Sequence, residues 1–195
     1  QQRLAIKRLH LRAPQSSIVV AGEVPLNRSA GDGDLAIEAQ ASLASVARFL
    51  PEDLKVTAGG GLTVAGSLRG TLQSMSPDLT ITLDDGVLSA PRAGADVSAI
   101  RLRARVADGV ARIEQLTGTW SKATIEAAAT LPLELLPPLP VGIEGRSGPA
   151  TLKASVRDLD PAAVPHAPAG VTGRVSVDID AAASGADLTT LEGFI

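Results

Sequence analysis

Cysteine and tyrosine are absent from these 195 residues, and aromatic residues amount to 2%: Phe49, Phe194 and Trp120. Without cysteine there is no disulfide, no thiol nucleophile and no thiolate metal site, and either redox compartment is compatible with the composition. Three aromatics and a formal net charge of -3, with no basic cluster, supply neither the stacking platform nor the electrostatic footprint of a nucleic-acid binder. No window approaches the roughly 18 consecutive apolar residues of a membrane-spanning helix, and no signal peptide is present, so any anchor or export signal is expected outside this stretch. The start QQRLAIKRLH and the apolar end LTTLEGFI both read as cuts inside a longer protein. No G-x-S-x-G, H-E-x-x-H, phosphate loop or helix-opening G-x-G-x-x-G occurs, and no catalytic residue or cofactor is expected.

What is present is alternation. Hydrophobic residues make up 45% of the chain, enough for a globular core. From Gly60 to Gly118 they alternate with polar residues between glycine and proline punctuation, the pattern of an all-β meander with one face in water. The pattern predicts strands over Leu4–Arg12, Ser17–Pro25, Leu35–Ala41, Gly61–Gly70, Asp78–Leu83, Gly86–Ala90, Ala99–Val106, Val110–Thr117, Thr124–Leu133, Thr151–Val156 and Val171–Ala181. Asp85-Gly86 and Asp108-Gly109 tolerate positive φ and read as two-residue hairpin loops. One stretch breaks the period: Leu43, Val46, Ala47 and Leu50 follow helical spacing, with Ser42 to cap and Pro51 to stop a short amphipathic helix. Asp160-Pro161 suits the start of a second helical turn.

The chain also resembles itself. Ile6–Leu26 and Ile113–Leu133 are of equal length and share the leading Ile, a following Leu and the closing Pro-Leu. A strand, a short helical candidate and a second alternating strand follow each, at offsets of 107 to about 116 residues. The expected organisation is one and a half copies of a unit of about 110 residues, approximately 1–112 and 113–195, which argues for extension rather than closure.

Single residues carry little chemistry. His10 lies in an alternating strand and His166 in a Pro-rich turn, neither with a partner motif. Gly31–Asp34 (GDGD) offers carboxylates and a glycine turn but lacks the further spaced oxygen ligands of a calcium loop, so a hairpin turn is expected. Gly59–Gly61 precedes a strand, not a helix, and reads as a hinge or bulge. Asn27-Arg28-Ser29 matches a glycosylation sequon only formally, Asp84 and Asp85 belong to a turn, and the isolated aromatics read as core filler, with Phe49 able to plug one mouth of a groove.

The apolar faces are the feature left over. Leu62, Val64, Leu68, Leu79, Ile81, Leu83, Ile100, Leu102, Val106, Ile125 and Leu131 occupy alternate positions, while Thr63, Thr80, Thr82, Arg101, Arg103 and Arg105 take the other parity. Two arrangements satisfy this pattern: an open trough lined by aliphatics, or a sandwich or β-solenoid closed on a dry core.

The pattern resembles a family. A G-x-L-x-V-x-G-x-L-x-G strand (Gly61–Gly70), Pro77 at a turn before L-x-I-x-L-x-D-G-x-L, the alternating run Ile100–Gly118 and the closing strand Thr124–Leu133 are similar to the C-terminal repeats of TamB. TamB is a subunit of the bacterial translocation and assembly module, within the AsmA-like, repeating β-groove group. The likeness covers Leu43–Leu136 well and the flanks more loosely; the insert IEGRSGPATL and the Pro-rich Leu135–Pro140 depart from it. It implies an elongated antiparallel sheet curled into a U-shaped hydrophobic groove, whose lining would be the aliphatic positions above. It further implies a parent protein anchored in the inner membrane and spanning the Gram-negative periplasm to an outer-membrane barrel of the Omp85 type. Its cargo would be phospholipid acyl chains moving between the membranes, and it would support assembly of outer-membrane proteins and autotransporters through their nascent β-strands. The alternative is a structural solenoid or sandwich repeat of a secreted adhesin or stalk.

Overall fold

The computed structural model describes residues 3–26, 31–47, 55–71, 74–90, 96–135, 145–164, 172–183 and 191–194. Eleven strands form one antiparallel sheet in chain order: β1 (Arg3–Ala13), β2 (Ser16–Pro25), β3 (Gly33–Ser42), β4 (Thr57–Thr71), β5 (Ser74–Ser89), β6 (Val97–Ala107), β7 (Val110–Trp120), β8 (Ala123–Pro132), β9 (Ala150–Leu159), β10 (Val175–Ala183) and β11 (Leu191–Phe194). β1 and β11 end the sheet and do not pair with each other, so it is open and not a barrel. The helical interruptions fall where capping chemistry places them. Ser42 Oγ accepts the Ser45 N–H at 3.3 Å to open α1 (Leu43–Ala47), and Asp160 accepts the Ala162 N–H at 3.0 Å to open a single 3₁₀ turn, Pro161–Ala163. The rest of the expected helix with Phe49 and Pro51, the sequon at Asn27, the Pro-rich run after Leu135, His166 and the side chain of Phe194 lie outside the described residues.

Two Asp-Gly dipeptides have different fates. Asp108-Gly109 is a two-residue hairpin loop, with Ala107 opposite Val110 and φ of 53° and 72° at its two central residues, the type I′ pattern. Asp85-Gly86 is not a turn. β5 runs unbroken through it and merges the two strands expected there, with Asp85 at φ 52° as an extra residue against both neighbours: Leu83 and Gly86 face Leu102 and Ile100 of β6. On the other side Asp84 and Val87 face Gly61 and Gly59 of β4. The reason is in the partners: both neighbouring strands continue past this point, so the positive φ is taken up as a β-bulge. Gly59–Gly61 lies at the same irregularity, as expected of it. Pro77 is likewise inside β5 rather than at a turn, opposite Leu68. It lies beyond the last β6 pair at Leu79–Val106, a segment with a neighbour on one side only, where a missing N–H is tolerated.

The other register shifts follow the same rule. They fall within Ile6-Lys7-Arg8-Leu9, Val97-Ser98-Ala99-Ile100, Ile113-Glu114-Gln115-Leu116 and Val156-Arg157-Asp158-Leu159. In each, two aliphatic residues stand three apart rather than two. An extra residue flips the parity of everything after it, and the three-residue spacing restores the aliphatic side chains to their original face. Bulged strands bend, so the same positions that keep the face apolar also curl the sheet.

The curl is visible in alanine. Ala36, Ala65, Ala128 and Ala182 on the polar face are exposed, whereas Ala39, Ala127, Ala129, Ala154 and Ala181 on the apolar face are half-buried and Ala104 is buried. Strands pack essentially only against their sequence neighbours, so no second layer of the described residues accounts for the difference. The apolar face is the concave one, where large aliphatic neighbours converge. A compact core cluster, Val24, Leu35 and Met75 with Ile6, Val20 and Leu68 around it, sits at one rim of β1–β5.

Candidate functional site

Strand register assembles the concave face into continuous rows. Leu11, Ile18, Ala39, Val64, Ile81, Ala104, Ile113, Ala129, Leu152 and Ala181 stand side by side, one from each of β1 to β10. Leu9, Val20, Ile37, Gly66, Leu79, Val106, Ala111 and Leu131 form a second row, and Ala41, Leu62, Leu83, Leu102, Leu116, Ala127, Ala154 and Ile179 a third. At ~4.8 Å between strands, a row crossing ten of them runs roughly 43 Å. Outside the bulges, Ser16 is the one polar side chain on this face among the described residues of β1–β10, and none there is charged.

The residues expected to line a groove all fall on this face. Val64 and Ile81 are in the central row; Leu79, Val106 and Leu131 in the second; Leu62, Leu83 and Leu102 in the third. Leu68 stands between Leu35 and Pro77 near the core cluster, Ile100 faces Gly86, and Ile125 lies between Gly118 and Val156. Of these, Leu83 and Ile100 are buried, at 4% and 9% exposure; the others keep partial access to solvent. Sequence parity missed the flanks of the same face: Ile6, Leu9 and Leu11 in β1, Ile18 and Val20 in β2, Ile113 and Leu116 in β7, Leu152 and Val156 in β9. Three-residue aliphatic spacing is the signal for Ile6 with Leu9 and Ile113 with Leu116, while Ile18, Val20, Leu152 and Val156 follow unbroken alternation within β2 and β9. A mainly aliphatic hollow of about 370 Å³, with Thr130 and Thr151 also in its lining, marks the face between Ile113, Leu131, Leu152 and Ala183.

The convex face is polar and internally paired. Arg69 meets Asp34 at 3.6 Å, Arg105 meets Asp78 at 3.0 Å, Lys153 meets Asp180 at 3.3 Å and Arg174 meets Asp158 at 3.3 Å, while Arg157 makes a two-pronged contact with Asp178. Each is solvent-exposed and worth roughly 0–1 kcal/mol, so together they set register and solubility more than stability. A shallower polar hollow of about 570 Å³ opens among Glu126, Lys153, Arg157, Asp178 and Asp180, whose cations are those same paired ones. His10 accepts from Arg12 Nε at 3.1 Å on the exposed edge strand, and Asp34 of the GDGD stretch is committed to Arg69. Among the described residues no three His, Asp or Glu side chains converge to hold a metal ion. Nor does any described helix have the length and hydropathy to cross a membrane.

Searches of family models, curated proteins and solved structures find nothing that matches this chain.

Proposed function

We propose that the concave face is a conduit for acyl chains: a segment of a non-enzymatic, periplasm-spanning groove protein that shields phospholipid tails in passage between the inner and outer membranes. The observation that carries this reading is the central aliphatic row from Leu11 to Ala181, uncovered by any second layer of the described residues. Each methylene exposed to water costs roughly 0.8 kcal/mol, so a diacyl lipid does not cross an aqueous gap unaided at a useful rate. A trough of Leu, Ile, Val and Ala removes that barrier along its whole length without gripping the chain at any point. Aromatic pockets and polar anchors, which would trap cargo, are nearly absent from it.

The wider setting belongs to the same proposal: a parent protein anchored in the inner membrane, an outer-membrane barrel of the Omp85 type at the far end, nascent outer-membrane β-strands as further cargo, and units of about 110 residues repeated along the groove. Support for the unit comes from the two matching hairpins. β1–β2 and β7–β8 share register residue for residue at an offset of 107: Ile6 faces Gly22 as Ile113 faces Ala129, Leu9 faces Val20 as Leu116 faces Ala127, and Ala13 faces Ser16 as Trp120 faces Ala123. A helical turn then separates β3 from β4 and β9 from β10 alike. The closed-core alternative needs a protein layer over the concave face, and the described residues supply none.

A photoreactive residue at Ile81 or Leu102, with Arg103 as the convex-face control, tests the reading in the presence of phospholipid vesicles. Capture of phospholipid from the two inner positions and not from Arg103 is the expected result. Crosslinks to protein alone, or equal lipid capture at Arg103, would refute it.

A further inference from the structure

Along β7 the concave side chains change character toward one lip of the trough. Ile113 and Leu116 belong to the aliphatic rows, and Gly118 lies under Val97 and Ile100, whose Cγ1 atoms would stand 3.2 and 3.6 Å from a Cβ built on it. Trp120 ends the strand. It is half-buried in the last concave row, Leu88, Val97, Trp120 and Ala123, rather than enclosed in a core, and Ala123 beside it is fully buried. The two-residue hairpin loop that follows, Ser121-Lys122, has φ of 45° and 73° and leaves Lys122 exposed. Lys122 makes no ion pair among the described residues, and neither does Asp96, which precedes Val97 at the same lip.

From groove to solvent the lip reads aliphatic, indole, ammonium. A phospholipid has the matching order, from tail through the ester level to phosphate. Tryptophan suits the middle of that profile, because one part of its ring is apolar and another polar. Lysine suits the end, because it carries its charge beyond an apolar stem. The opposite end of β7 lacks this succession. Its loop residue is Asp108, and the carbonyl of Gly109 accepts the N–H groups of Leu133 and Arg146 at 2.9 and 3.1 Å, so the chain following β8 lies against that loop. We infer that the lip at Trp120 and Lys122 seats the headgroup of a phospholipid, its phosphate on Lys122 and its ester region against Trp120, while the tails lie in the aliphatic rows. This rests on the acyl-chain reading above and adds an orientation to it: the polar end of the cargo lies at this lip.

The full chain has one tryptophan and no tyrosine, so its intrinsic fluorescence reports position 120 alone. Phosphatidylcholine vesicles doped with a phospholipid bearing a nitroxide, either on the headgroup or at the methyl end of one tail, supply the quencher. The headgroup label is expected to quench Trp120 more strongly than the tail-end label. A Thr82→Trp ring in a Trp120→Phe background stands on the convex face and is expected to respond to neither. For Lys122, a photoreactive residue at Ile81 captures phosphatidylglycerol or diacylglycerol with the same tails, each doped into the same vesicles. Phosphatidylglycerol is expected to be preferred, and Lys122→Glu is expected to remove roughly fivefold of that preference, the worth of about one lysine beside anionic phosphate. Quenching by the tail-end label as strong as by the headgroup label, while Ile81 still captures phospholipid, overturns the headgroup seat and leaves the conduit reading standing. So does an unchanged preference in Lys122→Glu, or equal quenching of the convex control. No capture at Ile81 together with no quenching at Trp120 removes both.

Discussion

Gly66 stands on the concave face at φ 152°, and a Cβ built there would lie 2.0 Å from the carbonyl oxygen of Asp78 on β5. No side chain fits without moving that strand. Five residues earlier, Gly61 has nothing within 4 Å of the same hypothetical atom. The pair therefore separates a glycine required by close backbone approach from one that is not. Gly66→Ala is expected to lower stability by more than about 1 kcal/mol, since alanine disfavours positive φ and meets backbone as well. Gly61→Ala is expected to leave stability unchanged or raise it by less than about 1 kcal/mol. Urea titration followed by far-ultraviolet circular dichroism distinguishes them, and equal midpoints would show that the close approach at Gly66 is relaxed in solution. At Asp85, where an L-residue sits at φ 52°, glycine relieves local strain and Asp85→Gly is expected to gain up to roughly 1 kcal/mol, whereas β-branched Asp85→Val is expected to lose about 1–2 kcal/mol.

At the level of elements, alternation was legible wherever it ran unbroken, which is why the strands around Leu62–Leu68 and Leu79–Leu83 and their shared face follow directly from parity. Helix caps were legible too, because Ser42 and Asp160 act on their immediate neighbours. Asp85-Gly86 was not, since the same dipeptide makes a hairpin loop or a bulge according to whether the chain must reverse, and that depends on β4 and β6 far away in sequence. The bulges explain the rest of the missing site: a parity argument stops at each one and loses Ile113, Leu116 and their counterparts on the other side. Glu114 tests this rule. Deleting it leaves Ile113 and Leu116 two apart, matching the spacing of Ala129 and Ala127 on β8, so ordinary alternation keeps Leu116 and Trp120 on the concave face and the deletion is expected to cost less than about 1 kcal/mol. Glu114→Ala keeps the count and is expected to change stability by less than about 0.5 kcal/mol. A denaturation midpoint for the deletion far below that of the substitution would mean that Leu116 has left the concave face and that residue count across the bulge does not set it.

For the molecule as a whole, the proposed conduit requires the open sheet to separate folding from cargo in a way a closed core cannot. In a closed core every aliphatic side chain is buried, and a carboxylate placed anywhere among them unfolds the protein. Here Ile81 is half-buried in the central row while Leu83, two residues along the same strand, is 4% exposed. An aspartate at position 81 can reach water through the open side of the trough, so Ile81→Asp is expected to cost about 1–2 kcal/mol and to leave the fold intact. Leu83→Asp buries an unpaired charge and is expected to be several kcal/mol worse. The effect on the proposed acyl-chain cargo runs the other way. A carboxylate at position 81 interrupts the row that crosses β1–β10, removing about two methylene contacts of roughly 0.8 kcal/mol each and adding a hydrated group in the path. Ile81→Asp is therefore expected to weaken binding of a fluorescent phospholipid about tenfold, a change of roughly 1.4 kcal/mol, with its circular dichroism spectrum unchanged. Thr82→Asp on the convex face should bind the probe like the parent protein. If Ile81→Asp instead unfolds the chain as fully as Leu83→Asp, position 81 belongs to a covered core, and the aliphatic rows serve stability alone.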